Sequence, residues 1–329
     1  MAMTQGKRYA VLVMAILGMG AARLPFERGL NEELIAANLM PPRLEVETSE
    51  RIGQTFSAVS LGGLRTLVAT FLNLRAFGYF TEQKWADVGE TFDVIVDLAP
   101  RTAYYWDTGA WHQAYNAASF YLYESDLPPL RRELNWRASV LRGEEFLKRG
   151  IRNMPDNPQL YRSLGMLYSD ANKIDAFGSP TEAFAKSYEV FNSAPGGAQT
   201  GGMEQRFALY SLARISGREA EALKLAEEIA KTEGGRTATV LNLLYSLRYF
   251  ANPEQPVGTL IDSVFPDRKT AYELLSRQWV RTRDRYPVHG IARAISLLEM
   301  QLGIPSARSI LKQKLPSPVR VDDMFPAGR

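Results

Sequence analysis

The chain has 329 residues, enough for one long helical array or two ordinary domains, and its 46% hydrophobic and 23% charged content is that of a folding globular chain. A net charge of +3 is too small for the concentrated basic face that nucleic acid requires, so no nucleic-acid partner is expected. With no cysteine and only two histidines, His112 and His289, the composition excludes disulfides, thiolate catalysis and zinc–thiolate sites and gives little support to a histidine relay or metal site.

At the start of the chain, Lys7 and Arg8 precede 14 uncharged, largely apolar residues, Tyr9–Ala22, which end at Arg23. A bilayer span needs roughly 20 apolar residues. Snorkelling of Lys7 and Arg23, with Leu24 and Phe26 beyond, extends the apolar length toward that figure. The same stretch has the form of a secretory signal, with Gly20-Ala21-Ala22 as a small-x-small cleavage site, and a buried first helix is a third reading. Residues 1–24 are therefore read as an apolar anchor or signal segment with Lys7 and Arg8 on the cytoplasmic side. Residues 25–53 read as a tether with a short helix over Asn31–Met40, ended by Pro41-Pro42. Residues 54–315 form the helical body, and 316–329 a loose tail.

From Gln54 onward helical periodicity dominates, without the sustained alternation of strands. Pro100, Pro155 and Pro195 punctuate it. A first helix pair is expected over Phe71–Pro100, turning at Thr81–Lys84, with Ala76, Tyr79 and Phe92 at repeating positions. A second begins at Trp106, six residues after Pro100, as Tyr161 lies six after Pro155. It is long, because Pro100 and Pro155 are 55 residues apart, and the excess is expected at Tyr123–Leu130. Its second helix carries Gly143, Leu147 and Gly150. The third unit has a helix in Asn157–Tyr168, a loop over Asn172–Pro180 and a helix over Thr181–Asn192, then a glycine-rich break at Pro195–Gly202. In the fourth, Ala222, Ala226 and Ile229 of Gly217–Ala230 share one face at helical spacing. Beyond Gly234 the pattern fades, with helices expected near Thr237–Ala251, Arg268–Arg285, Val288–Leu302 and Ser306–Lys314.

The spacing of Tyr161, Leu164, Gly165 and Tyr168 resembles the Trp-x2-Leu-Gly-x2-Tyr first helix of a tetratricopeptide repeat, with Tyr in place of Trp. The resemblance implies an all-α, tetratricopeptide-like α-solenoid of antiparallel helix pairs, an architecture that mostly binds other proteins. The region Pro41–Tyr168 further resembles membrane-anchored bacterial tetratricopeptide proteins, through Ser60-Leu-Gly-Gly-Leu-Arg65, Leu74-Arg75-Ala76, Trp111-His-Gln-Ala-Tyr-Asn-Ala117 and Asn157-Pro158. That resemblance implies a single N-terminal anchor in the bacterial inner membrane, a body facing the periplasm and a protein partner in the cell envelope. It supplies no catalytic residue, cofactor or metal site. An exported, soluble form is the alternative localisation.

Several clusters have both a structural and a functional reading. Gly62-Gly63-Leu64-Arg65 reads as a close helix crossing, with Arg65 and Arg75 pairing with acids nearby. The region 104–123 holds Tyr104, Tyr105, Trp106, Trp111, Tyr115, Tyr121 and Tyr123. Most of these are expected to pack between helices, and the functional reading is an aromatic groove for a peptide or a small apolar ligand. His112 and Asn116, four apart, share a face from which a ligand backbone is within hydrogen-bonding reach. The arginines of 131–152 and 277–285 spread over several helix faces as solvated charge or meet an acidic peptide or anionic headgroups. Neighbouring acids such as Glu144-Glu145 point in different directions and make no acid–base pair, so an enzyme is not expected. First helices line the inner face of such solenoids, which gives a candidate partner groove of Trp106, His112, Gln113, Asn116, Tyr161, Arg162 and Tyr168.

Overall fold

The computed structural model describes residues 64–196 and 201–313. The expected anchor, tether and tail, the Gly62-Gly63 crossing and the centre of the Pro195–Gly202 break lie outside these residues. Within them the protein is all-helical, with no strand. No helix of the described residues is long and apolar enough to cross a membrane.

The contacts separate two compact units, and the boundary runs through the first two helices, α1 (Arg65–Thr81) and α2 (Trp85–Leu98). In the first unit, the described residues are 64–74 and 93–101. Val68 and Ala69 of α1 are buried, as are Ile95, Val96, Leu98 and Ala99. Leu64, Leu67, Phe71 and Leu74 form an exposed stripe at three-four spacing.

The second unit comprises 75–92 and the chain from 102 onward. Its first long element is α3 (Ala103–Trp111), which passes without a break into wide π-type turns at His112–Ala117 and Phe120–Glu124. The α4 helix (Pro129–Asn153) returns against it, with Pro129 in the first turn, where a missing N–H costs nothing. The excess length expected at Tyr123–Leu130 therefore lies mainly in these two helical runs, with only a short link between them. A π-type turn holds one extra residue per turn, so no break in the apolar pattern announces it.

Small residues let the two runs approach closely. Ala114, Ala117 and Ala118 are completely buried, and Gly143 of α4 lies directly against Ala110 and Ala114.

Caps explain the next boundaries. Asn157 accepts a bond from the Gln159 backbone N–H at 3.0 Å and starts α5 (Pro158–Ser169). A 3-10 turn (Ile174–Ala176) leads to a capping box, in which Ser179 and Glu182 each accept from the other's backbone N–H at the start of α6 (Pro180–Ser193). Such a cap stabilises the helix by about 1 kcal/mol. The following helices are α7 (Met203–Leu212), α8 (Glu219–Ala230), α9 (Ala238–Ala251), α10 (Val257–Val264), α11 (Arg268–Arg281) and α12 (Ile291–Gln301). The α11 helix stops four residues earlier than its periodicity predicts, and the chain turns through 282–287. The expected Ser306–Lys314 helix is two 3-10 turns, Ser306–Arg308 and Ile310–Lys312, parted by Ser309, whose φ and ψ of −58° and 131° are not helical. The α10 helix was not expected. Its eight residues sit between Pro256 and Phe265-Pro266, too short for a clear period.

From α3 to α9 each helix packs against the next in the chain, and α3 also touches α5. Toward the end the order changes, with α9 meeting α11 and α10 meeting α12. The core is aliphatic and aromatic throughout, with Phe92, Trp106, Phe146, Leu160, Phe191, Leu209, Ile229 and Tyr245 among its largest buried side chains.

Candidate binding cleft

The seven residues singled out from the sequence divide between core and surface. Trp106 is 2% exposed. It lies in the seam between α3 and α4, its Cβ against Gly150 and the Arg149 guanidinium over its ring at 5.3 Å. Gln113 is also buried; its side-chain amide donates to the Trp85 carbonyl at 3.1 Å and packs on Gly89. His112 and Asn116 satisfy each other, with the amide nitrogen 3.1 Å from Nδ1. The His112 ring packs near Phe80 and Phe92, at 5.0 and 5.5 Å. Burial lowers its pKa, so the imidazole is neutral at pH 7.

Tyr168 is 2% exposed, and its hydroxyl donates to Glu144 Oε1 at 2.5 Å. Burial, then the Glu144 bond, raises its pKa. Removing that hydroxyl with Tyr168→Phe is expected to cost about 2 kcal/mol, the range for a bond to a charged acceptor, and to lower the melting temperature by roughly 5 °C. The loss is held to this size because Glu144 keeps Lys148 at 2.6 Å. An unchanged melting curve would show that the bond contributes nothing net. Tyr161 and Arg162 remain half-buried on α5, with Arg162 Nε 3.5 Å from Glu204. Arg75, expected to pair with an acid, instead donates to the Tyr79 hydroxyl at 3.0 and 2.7 Å.

The concave surface lies beside these residues. A cavity of about 460 Å³ opens where the π-type extension of α3, the end of α5, α7 and the 282–287 turn come together. Tyr115, Met166, Ser169 and Asp170 form one side, and Phe207, Tyr210, Arg214, Arg285 and Tyr286 the other. A second cavity of about 390 Å³ shares Arg214, Arg285 and Tyr286 and extends to Phe184, Glu219 and His289. A third, of about 130 Å³ and largely apolar, is bordered by Trp111, Tyr115, Met166 and Leu167. Of the aromatic cluster at 104–123, Tyr115 and Trp111 reach these cavities; their rings stack at 4.4 Å, and Trp111 is 55% exposed.

The electrostatics centre on Arg214. Its Nε donates to the Tyr210 carbonyl at 2.9 Å, and its guanidinium lies 4.0 Å from the Phe184 ring centroid and 5.3 Å from that of Tyr286. Desolvation, with a further push from Arg285, brings its pKa down to about 10, while Tyr286 acts in the opposite sense; it stays cationic at pH 7. No acid forms an ion pair with Arg214 or Arg285 among the described residues. Asp170, the one acid on the larger cavity, accepts from the Asn172 backbone at 2.8 Å. Lys173, buried behind it, lies 5.6 Å over the Tyr115 ring, its pKa lowered by burial against the opposing effect of Asp170.

Arg214, Tyr210 and Tyr286 were not singled out from the sequence. Arg285 belonged to the basic run at 277–285, but nothing local shows that it meets α7. Among the described residues no group of three or more potential metal-ligating side chains comes together. The arrangement suits binding: aromatic walls, two guanidiniums and the hydroxyls of Tyr115, Tyr210 and Tyr286, none of which makes a hydrogen bond among the described residues. Compared with known proteins, the chain matches no family model and no curated sequence.

Proposed function

We propose that this protein is a tetratricopeptide-like helical-repeat scaffold of the bacterial cell envelope, binding a protein partner rather than catalysing a reaction. In this reading residues 1–24 hold it at the inner membrane and the helical body faces the periplasm. The observation that carries it is the source of the cleft walls. Tyr115 continues α3, Met166 and Ser169 lie on α5, and Phe207 and Tyr210 on α7. These are the first helices of the successive pairs α3/α4, α5/α6 and α7/α8, and the contact of α3 with α5 supports a solenoid reading, in which like helices stack on like.

Trp111 and Met166, 55% and 51% exposed, are the side chains by which to test it. The double variant Trp111→Glu, Met166→Glu, returned to native membranes, is expected to lose its co-purifying envelope protein while melting within about 1–2 °C of the parent, as surface changes do. Equal loss of capture and of stability would refute the groove.

The cleft volume favours a second reading, a helical protein that takes a small ligand. Its larger cavity of about 460 Å³ lies within the roughly 300–1,000 Å³ of ligand pockets. Saturable quenching of tryptophan fluorescence by a small molecule, with no protein partner, would separate it from the scaffold.

A further inference from the structure

Neither Arg214 nor Arg285 forms an ion pair among the described residues, although Asp170, Glu219 and Asp284 line the cavities they border. Both border the same two cavities, and the charge of Arg285 adds to the burial that lowers the pKa of Arg214. Arg285 is exposed, but Arg214 is desolvated, and a guanidinium so placed is usually met by a carboxylate, because an unpaired buried charge is expensive. Here the partners that hold Arg214 are a carbonyl and two aromatic faces, which position a planar cation without neutralising it. The side chain of Arg285 makes no hydrogen bond or ion pair among the described residues. Asp170 is the acid on the larger cavity, and Glu219 and Asp284 are those on the smaller one.

Aromatic rings make up much of the rest of the larger cavity's wall. Phe207 stacks on Phe191 at 5.2 Å and packs edge-on to Tyr210 at 5.9 Å, and Tyr210 in turn meets Tyr286 at 6.1 Å. Two guanidiniums without ion pairs beside a run of aromatic rings fit a ligand with an anionic group on an aromatic body.

We propose that this cleft binds a small organic anion, a carboxylate on an aromatic body, with Arg214 and Arg285 taking the carboxylate and Phe207, Tyr210 and Tyr286 the ring. The proposal rests on the small-ligand reading above and deepens it. The carboxylate fits the fork of a guanidinium through two parallel N–H donors. Phosphate is the weaker match, because it has no face for the rings.

The test is titration of the full-length chain, in detergent, with benzoate, its uncharged counterpart benzamide, and inorganic phosphate. Binding is read by calorimetry and by the fluorescence of Trp111, which stacks on Tyr115 at the cleft edge. Saturable benzoate binding at least about tenfold tighter than benzamide is expected, the ratio for one charge-assisted contact. Arg285→Gln, at an exposed position, should cut benzoate affinity by about tenfold, leave benzamide unchanged and preserve the melting temperature. Arg214→Lys keeps the charge but loses the fork, and should fall between the two. Benzamide binding as well as benzoate would overturn the anion assignment while leaving a small-ligand cleft in place. Phosphate binding at or above benzoate would overturn the carboxylate class. Saturation by none of the three would overturn both the proposal and the small-ligand reading beneath it.

Discussion

Gly143→Ala is expected to destabilise the protein by about 2–3 kcal/mol and lower its melting temperature by roughly 5–10 °C, although alanine is the better helix former. A Cβ at this position would stand 2.5 Å from the Ala114 Cβ, 2.8 Å from the Ala110 carbonyl oxygen and 3.0 Å from the Ala114 nitrogen. Two of these three atoms are backbone, so no rotamer change relieves the clash. Either α4 withdraws from the π-type turn or the turn itself rearranges, and both open the seam that buries Ala114, Ala117 and Val140. The propensity gain of an interior Gly→Ala change, up to about 1 kcal/mol, works against this and is outweighed. Gly78 on α1 makes the internal control, because a Cβ there meets nothing within 4 Å. Gly78→Ala should raise stability by up to about 1 kcal/mol. The same substitution thus has opposite signs at two helical glycines. Chemical denaturation of the pair checks it, and a Gly143→Ala protein as stable as the parent would show that the two helical runs do not approach as closely as described.

Three helix starts are set by short-range chemistry. Asn157-Pro158, Ser179-Pro180 and Asp267 each place a cap and, in two cases, a proline where the chain enters a helix. Ala222, Ala226 and Ile229, predicted on one face, are all completely buried. The second pair was read less well. A π-type turn keeps apolar residues inward while adding a residue per turn, so the sequence around His112 to Glu124 looks like ordinary helix with surplus length. The end of α11 was lost for a different reason. The arginines at 281–285 continue an acceptable helical pattern, and only the packing of Tyr286 against Tyr210 and Arg214 shows why the chain turns there. The cleft depends on that same distant contact, and no window of adjacent residues contains both sides of it.

Trp106 carries the sharpest conflict between pattern and packing. As the leading aromatic of a repeat helix it was a candidate for the partner groove, yet it lies in the α3–α4 seam at 2% exposure. Its Cβ and Cγ stand where a Gly150 side chain would be, and a Gly150 Cβ would also meet Leu160, so the pocket is formed by two helices and capped by a third. Trp106→Ala removes a large side chain from a site that helix backbones hold open. It is expected to cost about 3–5 kcal/mol, at the upper end of core truncations, and to lower the melting temperature by roughly 10 °C or more. Trp111→Ala, five positions along the same helical run, removes an equal volume from a ring that is 55% exposed and should shift the melting temperature by no more than about 1–2 °C. Binding should follow the reverse order once the Trp106 variant is assayed well below its melting temperature, because Trp111 stacks on Tyr115 at the cleft and Trp106 does not border it. Thermal melts paired with partner capture decide the matter. If Trp106→Ala kept its stability and lost its partner, Trp106 would belong to the groove, and the seam between α3 and α4 would have to be redrawn.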